Sequence, residues 1–283
     1  MDVDLVVNCF ERTYREVLRA GFFEKILAQN RFRFARRVVL INNVADESAA
    51  VRLAQARLDS GELDEMHQVS DRLPQALRRT GLALRDLGAG APHSIPSLVA
   101  VTLDGAPWVV HWDAEIRLPE PHNWISEGLD AMALDPRVLV AAPRWDSPKL
   151  EPEVVHRDRA FDLCFGFSDH VYLGRRAELG RPIYSERCVV RRRYPLAHRG
   201  YTFEARLDAY MRHHNRFRAL HRASRYVHDD SAAGATYPEL TPVERARLLA
   251  NRALIAGVRA SPLRAACCRT LERRDPVKVA GAT

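Results

Sequence analysis

The sequence predicts an α/β protein whose open, mostly parallel, Rossmann-like sheet is flanked by helices. Over the first seventy residues, apolar segments typical of strands alternate with segments of helical periodicity. Several of the apolar segments are continuous runs, as in strands that are buried on both faces. The chain has 283 residues, of which 47% are hydrophobic and 28% charged, enough for one large domain with a well-formed core.

The N-terminal elements follow one another closely. The patterns predict, in order, a strand at 3–9, a helix at 13–29, a strand at 37–44, a helix from Asp46 to about 59, and a short strand at 65–70. Because strands and helices alternate, we expect parallel strands joined by right-handed crossovers.

The rest of the chain is patterned less regularly. We expect, in order, a helix at 94–103, strands at 108–112, 138–142 and 161–174, a helix at 123–134 between the first two, and helices at 200–215, 242–258 and 261–273. Residues 71–105 are harder to interpret, 145–160 indicate a loop, and 274–283 a frayed tail.

Composition excludes several classes of protein. No apolar run is long enough for a membrane-spanning helix, and the N-terminus lacks the features of a secretory signal. The five cysteines include no Cys-x-x-Cys pair, which favours a reduced, cytoplasmic protein. The net charge of +7 favours an anionic partner, namely a nucleotide diphosphate, nucleic acid or an acidic membrane, although solvated arginines explain it equally well.

Two carboxylates follow the strand at 108–112. If the chain continued as a strand, Asp113 and Glu115 would point to the same side. Ligands of open parallel sheets bind at the carboxyl ends of the strands, and Mg²⁺ or Mn²⁺ prefers carboxylate and phosphate oxygens. The pair therefore predicts a metal site, and the alternative is a solvated strand end.

This arrangement resembles the GT-A type, family-2-like, nucleotide-sugar glycosyltransferases, in which a D-x-D-like motif follows a central strand. The order of elements matches over about 3–145 and more loosely over 160–230. The segment from Cys9 to Arg12 is similar to the family's segment near the nucleotide, and Asn42 to Asp46 to the end of its second strand. The resemblance therefore implies donor contacts at Cys9, Phe10, Glu11, Arg12, Asn43, Asp46 and Asp113.

Further site residues are implied downstream. Glu204, at a helix start, matches the family's catalytic base, and the alternative is plain capping of that helix start. Asp208 follows one turn later, and Asp169 is a weaker rival. His228 matches a third metal ligand after Asp113 and Glu115; the alternative is a structural histidine. Arg79 is a candidate for neutralising pyrophosphate, and the alternative is a solvated helix face. Trp112 either stacks on the donor or lies in the core.

The resemblance implies a hexosyltransferase-like enzyme that uses Mn²⁺ or Mg²⁺ to transfer a sugar from a nucleotide-diphosphate donor to an acceptor hydroxyl, whose identity stays unknown. Inversion is expected because Glu204 lies at the matching point; retention stays open. A nucleotidyltransferase is the alternative, although no glycine-rich loop follows the first strand. A basic nucleic-acid-binding protein is a third reading, but no such motif is present, so we expect no nucleic-acid partner.

The expected organisation is a glycosyltransferase domain over 1–235, with its nucleotide-sugar half at about 1–115 and its acceptor half at about 116–235, and a helical extension at 236–283. Arginines alternate with apolar residues in the extension, so each helix has an apolar face and a basic face. We expect the apolar face to pack on the domain; a peripheral membrane contact is the open alternative.

Overall fold

A computed structural model of the chain describes residues 1–146, 153–158, 160–188, 194, 200–228 and 241–260. The strands are β1 (Val3–Cys9), β2 (Arg36–Ile41), β3 (Glu65–Gln68), β4 (Trp108–Asp113), β5 (Ile116–Arg117), β6 (Val138–Trp145), β7 (Glu153–Arg157), β8 (Phe161–Phe165), β9 (Val171–Arg175) and β10 (Phe217–His228). The helices are α1 (Tyr14–Val17), α2 (Phe22–Asn30), α3 (Glu47–Asp59), α4 (Val69–Thr80), α5 (Leu84–Leu87), α6 (Ala91–Thr102), α7 (Trp124–Leu134), α8 (Arg176–Leu179), α9 (Phe203–His213) and α10 (Pro242–Ala260).

The described strands form one open sheet in the order β3-β2-β1-β4-β9-β6-β10-β8-β7, and β5 pairs with β10 at its end. The β3, β2, β1 and β4 strands are parallel, as predicted. The β9 strand runs antiparallel between β4 and β6. The predicted α/β class with an open sheet flanked by helices is confirmed. Because β9 is antiparallel to both neighbours, β4, β6 and β10 point the same way.

The core lies on both faces of the sheet. Along β1, Leu5 and Val7 belong to one buried cluster and Val6 to the other, because successive side chains point to opposite faces. Helices α2, α3 and α7 cover the first face, and α4, α6 and α9 cover the second. The central strands are therefore buried on both sides, and their polar ends lie at the edges of the sheet.

Several predicted elements differ in detail. The helix at 13–29 is two helices, because Gly21 adopts a left-handed conformation (φ +80°) between α1 and α2. The strand at 161–174 is two strands, β8 and β9, separated by a loop that starts at Gly166. Residues 71–105, the hardest to interpret, contain α4 and α6, each with an internal proline. The predicted helix at 261–273 and the tail lie outside the described residues.

An ion-pair network fastens the amino ends of the central strands. Asp4, which is fully buried in β1, accepts hydrogen bonds from Arg36 of β2 and Arg176 of α8. Burial alone would raise the pKa of Asp4, but the hydrogen bonds from Arg36 and Ala106 and the charge of Arg176 lower it overall. This network lies at the edge opposite the carboxyl ends of β1 and β4.

Helix α10 presents apolar side chains to solvent. Val243, Leu249 and Leu254 are exposed and Leu248 is half-buried, while the side chains of Ile255 and Val258, which belong to the same predicted apolar face, lie outside the described residues. The packing of this face on the domain stays a prediction. In the described part of the chain, no helix has both the length and the apolar character needed to cross a membrane.

Candidate functional site

Parallel strands bring their polar ends to one edge of the sheet. Asn8 of β1 is in register with Asp113 of β4, and Cys9 is in register with Ile41 of β2. The loops that follow these three strands therefore meet beside Asp113. The loop before β9 reaches the same place, because β9 is antiparallel and begins where β4 ends. This edge holds most of the predicted site residues.

Asp113 closes β4 with a partly exposed carboxylate. Its backbone N–H donates to the carbonyl oxygen of His170 at 2.8 Å, which fixes the strand end against the loop before β9. The imidazole Nε2 of His111 lies 3.4 Å from Asp113 Oδ1, and the His111 side chain is only 1% exposed. Its ring stacks on Tyr172 at a centroid distance of 5.3 Å. Asp113 is thus held from one side and open to solvent on the other.

Glu115 does not continue the strand, contrary to the prediction. The chain turns at Ala114 and Glu115, so the alternation of side chains along a strand does not apply here. The Glu115 carboxylate is buried, and its Oε2 lies 3.6 Å from Nε2 of His228 at the end of β10. The two predicted ligands Glu115 and His228 are therefore neighbours, brought together because β5 pairs with β10.

A pair of carboxyl groups lies behind Asp113. The backbone N–H of Asp169 donates to Glu204 Oε1 at 3.3 Å, and the two side chains also share a hydrogen bond. Burial, followed by the charge of Asp113, raises the pKa of Asp169 to about 7. Burial and the charge of Asp169 raise the pKa of Glu204 well above its usual value. The pair therefore holds a proton near neutral pH.

Glu204 is positioned by the start of α9. The Thr202 hydroxyl caps the helix by accepting from the Ala205 N–H, and Phe203 N–H donates to the buried Ser94 hydroxyl of α6. The first turn is thus fixed to a neighbouring helix, and the side chain of Glu204 projects toward the loop that contains Asp169.

Asp208, one turn later, is not available as a base. Its carboxylate is 2% exposed, accepts from the Gly166 N–H at 2.9 Å, and pairs with Arg212 at 2.9 Å. Arg212 also binds Glu153 of β7. These contacts make Asp208 a support for the loop that carries Asp169, and we remove it from the predicted catalytic set.

The predicted donor-binding loops lie together beside Asp113. Glu11 Oε2 accepts from the Ala45 N–H at 2.6 Å, which joins the loop after β1 to the loop after β2. The Arg12 guanidinium lies 5.6 Å from the ring centre of Phe10. Asn43 is exposed with a left-handed backbone (φ +49°), and Asp46 caps α3 through the Ala49 N–H.

Three other predicted donor contacts lie away from this surface. Arg79 donates to the Thr102 carbonyl and pairs with Asp104, both of which precede β4, so it lies at the opposite edge of the sheet. Trp112 is fully buried in the core, so it does not stack on the donor. Cys9 is likewise buried, and burial raises the pKa of its thiol to about 12.

The predicted metal ligands Asp113, Glu115 and His228 do not bring three ligand atoms within 4.8 Å of one another. Among the described residues, only His122, Glu127 and His221 bring three potential ligand atoms within 4.8 Å of one another. Asp113 still fits a divalent cation, because it is partly exposed and lies in the field of the Asp169–Glu204 pair. A nucleotide-bound Mg²⁺ commonly takes only one or two protein carboxylates, and phosphates and water complete its shell.

Sequence reasoning missed His111 and ranked Asp169 too low. His111 sits inside an apolar run, where a histidine carries no positional signal. Asp169 precedes a strand that had been merged with its neighbour, so its place at the edge of the sheet was hidden. The antiparallel direction of β9, which brings Asp169 to Asp113, follows from long-range pairing rather than from local pattern.

No protein-family model matches this sequence. No curated protein matches it either. Solved structures resemble it in shape. Mouse xyloside xylosyltransferase 1 in its apo form is 15% identical, covering 75% of this chain and 81% of its own, with a TM-score of 0.42. Glucosyl-3-phosphoglycerate synthase from Mycobacterium tuberculosis, in complex with Mn²⁺, UDP and phosphoglyceric acid, is 14% identical over 94% of this chain and 78% of its own, with a TM-score of 0.44.

TarS 1–349 from S. aureus is 13% identical, covering 94% of this chain and 74% of its own, with a TM-score of 0.44. At 13 to 15% identity, these similarities concern the fold and not the activity of this chain.

Proposed function

We propose that this protein is a metal-dependent glycosyltransferase that transfers a sugar from a nucleotide-diphosphate donor to an acceptor hydroxyl with inversion. The observation that carries the proposal is the meeting of three carboxyl groups, Asp113, Asp169 and Glu204, at the carboxyl edge of the sheet. Carboxyl groups this close repel one another when ionised, and a divalent cation relieves that repulsion. A half-buried pair with raised pKa beside it is suited to accept a proton.

The donor lies across the loops after β1 and β2 in this proposal. Its nucleoside contacts the surface formed by Phe10, Asn43 and Asp46, and Arg12 lies where it can neutralise a phosphate. Asp113 would hold the cation in this proposal, with Glu115 and His228 as candidate further ligands. When bound, Mn²⁺ or Mg²⁺ stabilises the negative charge that develops on the leaving diphosphate.

The Asp169–Glu204 pair acts on the acceptor. The acceptor oxygen forms a bond to C1 of the sugar, the bond from C1 to the diphosphate oxygen breaks, and the hydroxyl proton passes to the carboxyl pair. Glu204 keeps its proton and donates to Asp169, so the Asp169 carboxylate is the oxygen that accepts the new one. His111 holds Asp113 from behind and keeps its carboxylate directed at the donor.

Release of the nucleoside diphosphate from a nucleotide sugar tests this function. We expect slow, Mn²⁺-dependent release by the wild-type protein even with water as acceptor, and loss of that release in Asp113→Asn. The matched control is Asp130→Asn on the exposed face of α7. Release that persists in Asp113→Asn, or that needs no divalent ion, would refute the assignment of the metal to this site.

A further inference from the structure

A cavity opens at the carboxyl edge of the sheet, two strands beyond β9. It has a volume of about 560 Å³ and lies beside the carboxyl end of β6, the middle of β10 and the start of β8, next to the segment before α7. We name it the arginine pocket for its basic lining residues, which are Arg144, Arg157, Arg222 and Arg225. Its acidic lining residues are Glu127 and Asp162, so four guanidinium groups face two carboxylates.

A break in strand pairing builds this pocket. In β10, His221 is in register with Pro143 and Arg225 with Arg144, so three residues of β10 bulge out with no partner in β6. Such bulges redirect side chains and are common beside active sites. Here the bulge places Arg222 at the cavity, and its side chain, like that of Arg225, is 54% exposed.

The carboxylates of the pocket do not neutralise all of its arginines. Asp162 is buried, hydrogen-bonds Arg144, and lies at 3.8 Å from Arg157 and 3.9 Å from Arg222, so one acid serves three arginines. Arg225 pairs with the exposed Asp146 at 3.2 Å, a contact that water can replace. Arg144 Nε is buried and has no hydrogen-bond partner among the described residues.

The histidines of the pocket are not arranged for a metal. The Ser224 N–H donates to His221 Nδ1 at 2.7 Å, so that nitrogen carries no proton and the proton sits on Nε2. Nε2 in turn donates to Glu127 at 3.1 Å, and His122 lies 3.0 Å from the other oxygen of Glu127. A protonated Nε2 cannot bind a cation, and Glu127 is already occupied by the two rings.

The pocket adjoins the proposed transfer site. Trp145, next to Arg144, packs edge-on against His170 at 5.3 Å and stacks with Tyr226, next to Arg225, at 6.3 Å. The carbonyl of His170 accepts the N–H of Asp113. Chain neighbours of two pocket arginines thus contact the loop that holds Asp113, on the side away from the donor loops.

We propose that the arginine pocket binds an anionic group, a phosphate or a carboxylate, on the acceptor. That the anion is part of the acceptor rests on the proposed function. That an anion binds here rests on the pocket alone. Arginine suits such a group because its planar guanidinium donates two parallel hydrogen bonds to phosphate or carboxylate oxygens. The acceptor class is therefore a hydroxyl compound that also carries an acid.

Calorimetric titration of the protein with inorganic phosphate tests the site. We expect saturable binding to the wild-type protein and a dissociation constant raised at least about tenfold in the double variant Arg222→Gln/Arg225→Gln, because charge-assisted hydrogen bonds are lost. The matched control is Arg52→Gln/Arg85→Gln, which removes the same charge from exposed positions elsewhere. Control binding within about twofold of wild type supports the pocket.

Binding that the pocket and control variants weaken equally would overturn the proposal, as would no binding at all. Zn²⁺ binding that is lost in His221→Ala would also overturn it and make the cluster a metal site. A nucleoside diphosphate with Mn²⁺ should bind together with phosphate and bind the pocket variant normally; competition between the two would place phosphate in the donor site instead. Phosphate binding without any nucleotide binding would uphold the anion site and reject the proposed function.

Discussion

Among single residues, the carboxyl groups at the sheet edge have different proposed roles: Asp113 binds the metal, and the Asp169–Glu204 pair accepts the proton. Of the three carboxyl groups at the sheet edge, only Asp113 was predicted from its position at the end of a strand; the other two are Asp169 and Glu204. We expect Asp113→Asn to fold normally and to lose metal-dependent donor binding, because an amide oxygen is a much weaker ligand for Mn²⁺ than a carboxylate. Its unfolding curve should match that of the wild type, and unchanged Mn²⁺-dependent affinity would exclude Asp113 as the ligand.

The carboxyl pair predicts a separate effect on turnover. Asp169→Asn should lower turnover by about 10²–10⁴, the usual effect of removing a general base, with donor affinity nearly unchanged. Glu204→Gln should lower turnover less, because its amide can still donate a hydrogen bond to Asp169. Asp208→Asn should act differently, because Asp208 neutralises the buried Arg212: we expect loss of stability there. An Asp208 variant that is stable but inactive would show that the wrong carboxylate had been chosen.

The same pair predicts how stability changes with pH. The pKa of Asp169 is about 7 in the folded protein and about 3.9 in an unfolded chain, so the folded protein binds more protons between these values. Stability contributed by this group therefore falls as the pH rises through that interval. In the absence of metal, Asp169→Asn should be at least as stable as the wild type at pH 8, and its advantage should vanish near pH 4. A variant that is less stable at pH 8 would contradict this pKa.

At the scale of elements, the amino ends of the strands are held by charge. Replacing Asp4 by Asn leaves Arg176, whose side chain is 7% exposed, without its buried counter-ion. We expect a loss of about 3–5 kcal/mol in the free energy of unfolding, measured in urea, as for other broken buried pairs. Because the pKa of Asp4 is lowered on folding, its contribution is present above about pH 4 and is lost as the pH falls further. The exposed Asp130→Asn control should show neither effect.

Helix α10 makes the prediction for the C-terminal element. Most of its described side chains are exposed and none is fully buried, so deleting residues 242–283 should change the melting temperature little. Residues 242–260 contain no Trp or Phe to anchor in a lipid interface, and we therefore expect little sedimentation with acidic liposomes at physiological salt. Strong sedimentation that disappears with this deletion would instead indicate an acceptor held at a membrane.

Local pattern predicted most elements, and its failures have physical causes. The run at 3–9 and the cap at Asp46 are local features, and both were predicted correctly. The division between β8 and β9 and the pairing of β5 with β10 depend on contacts across the chain. Glu115 illustrates the consequence: its spacing from Asp113 predicted a shared side of the strand, but the chain turns at Ala114 and Glu115, and the Glu115 side chain has His228 as a neighbour.

At the scale of the whole molecule, the sheet places the two proposed binding regions on one edge. Donor loops follow β1 and β2, the carboxyl cluster lies at β4 and β9, and the arginine pocket lies at β6, β10 and β8. The parallel N-terminal half was predictable because its crossovers are local. The acceptor side was not, because it depends on an antiparallel strand and a bulge whose partners in β4 and β6 lie about 60 to 80 residues away in the chain.

The most direct test of the central claim is a thermal-shift screen of nucleoside diphosphates and nucleotide sugars, with and without Mn²⁺. A ligand that binds only the folded protein raises the melting temperature by mass action. We expect at least one nucleotide to stabilise the wild type and Asp130→Asn only when Mn²⁺ is present, and to leave Asp113→Asn unchanged. Stabilisation of Asp113→Asn equal to that of the wild type, or no shift with any nucleotide, would contradict the proposed donor site.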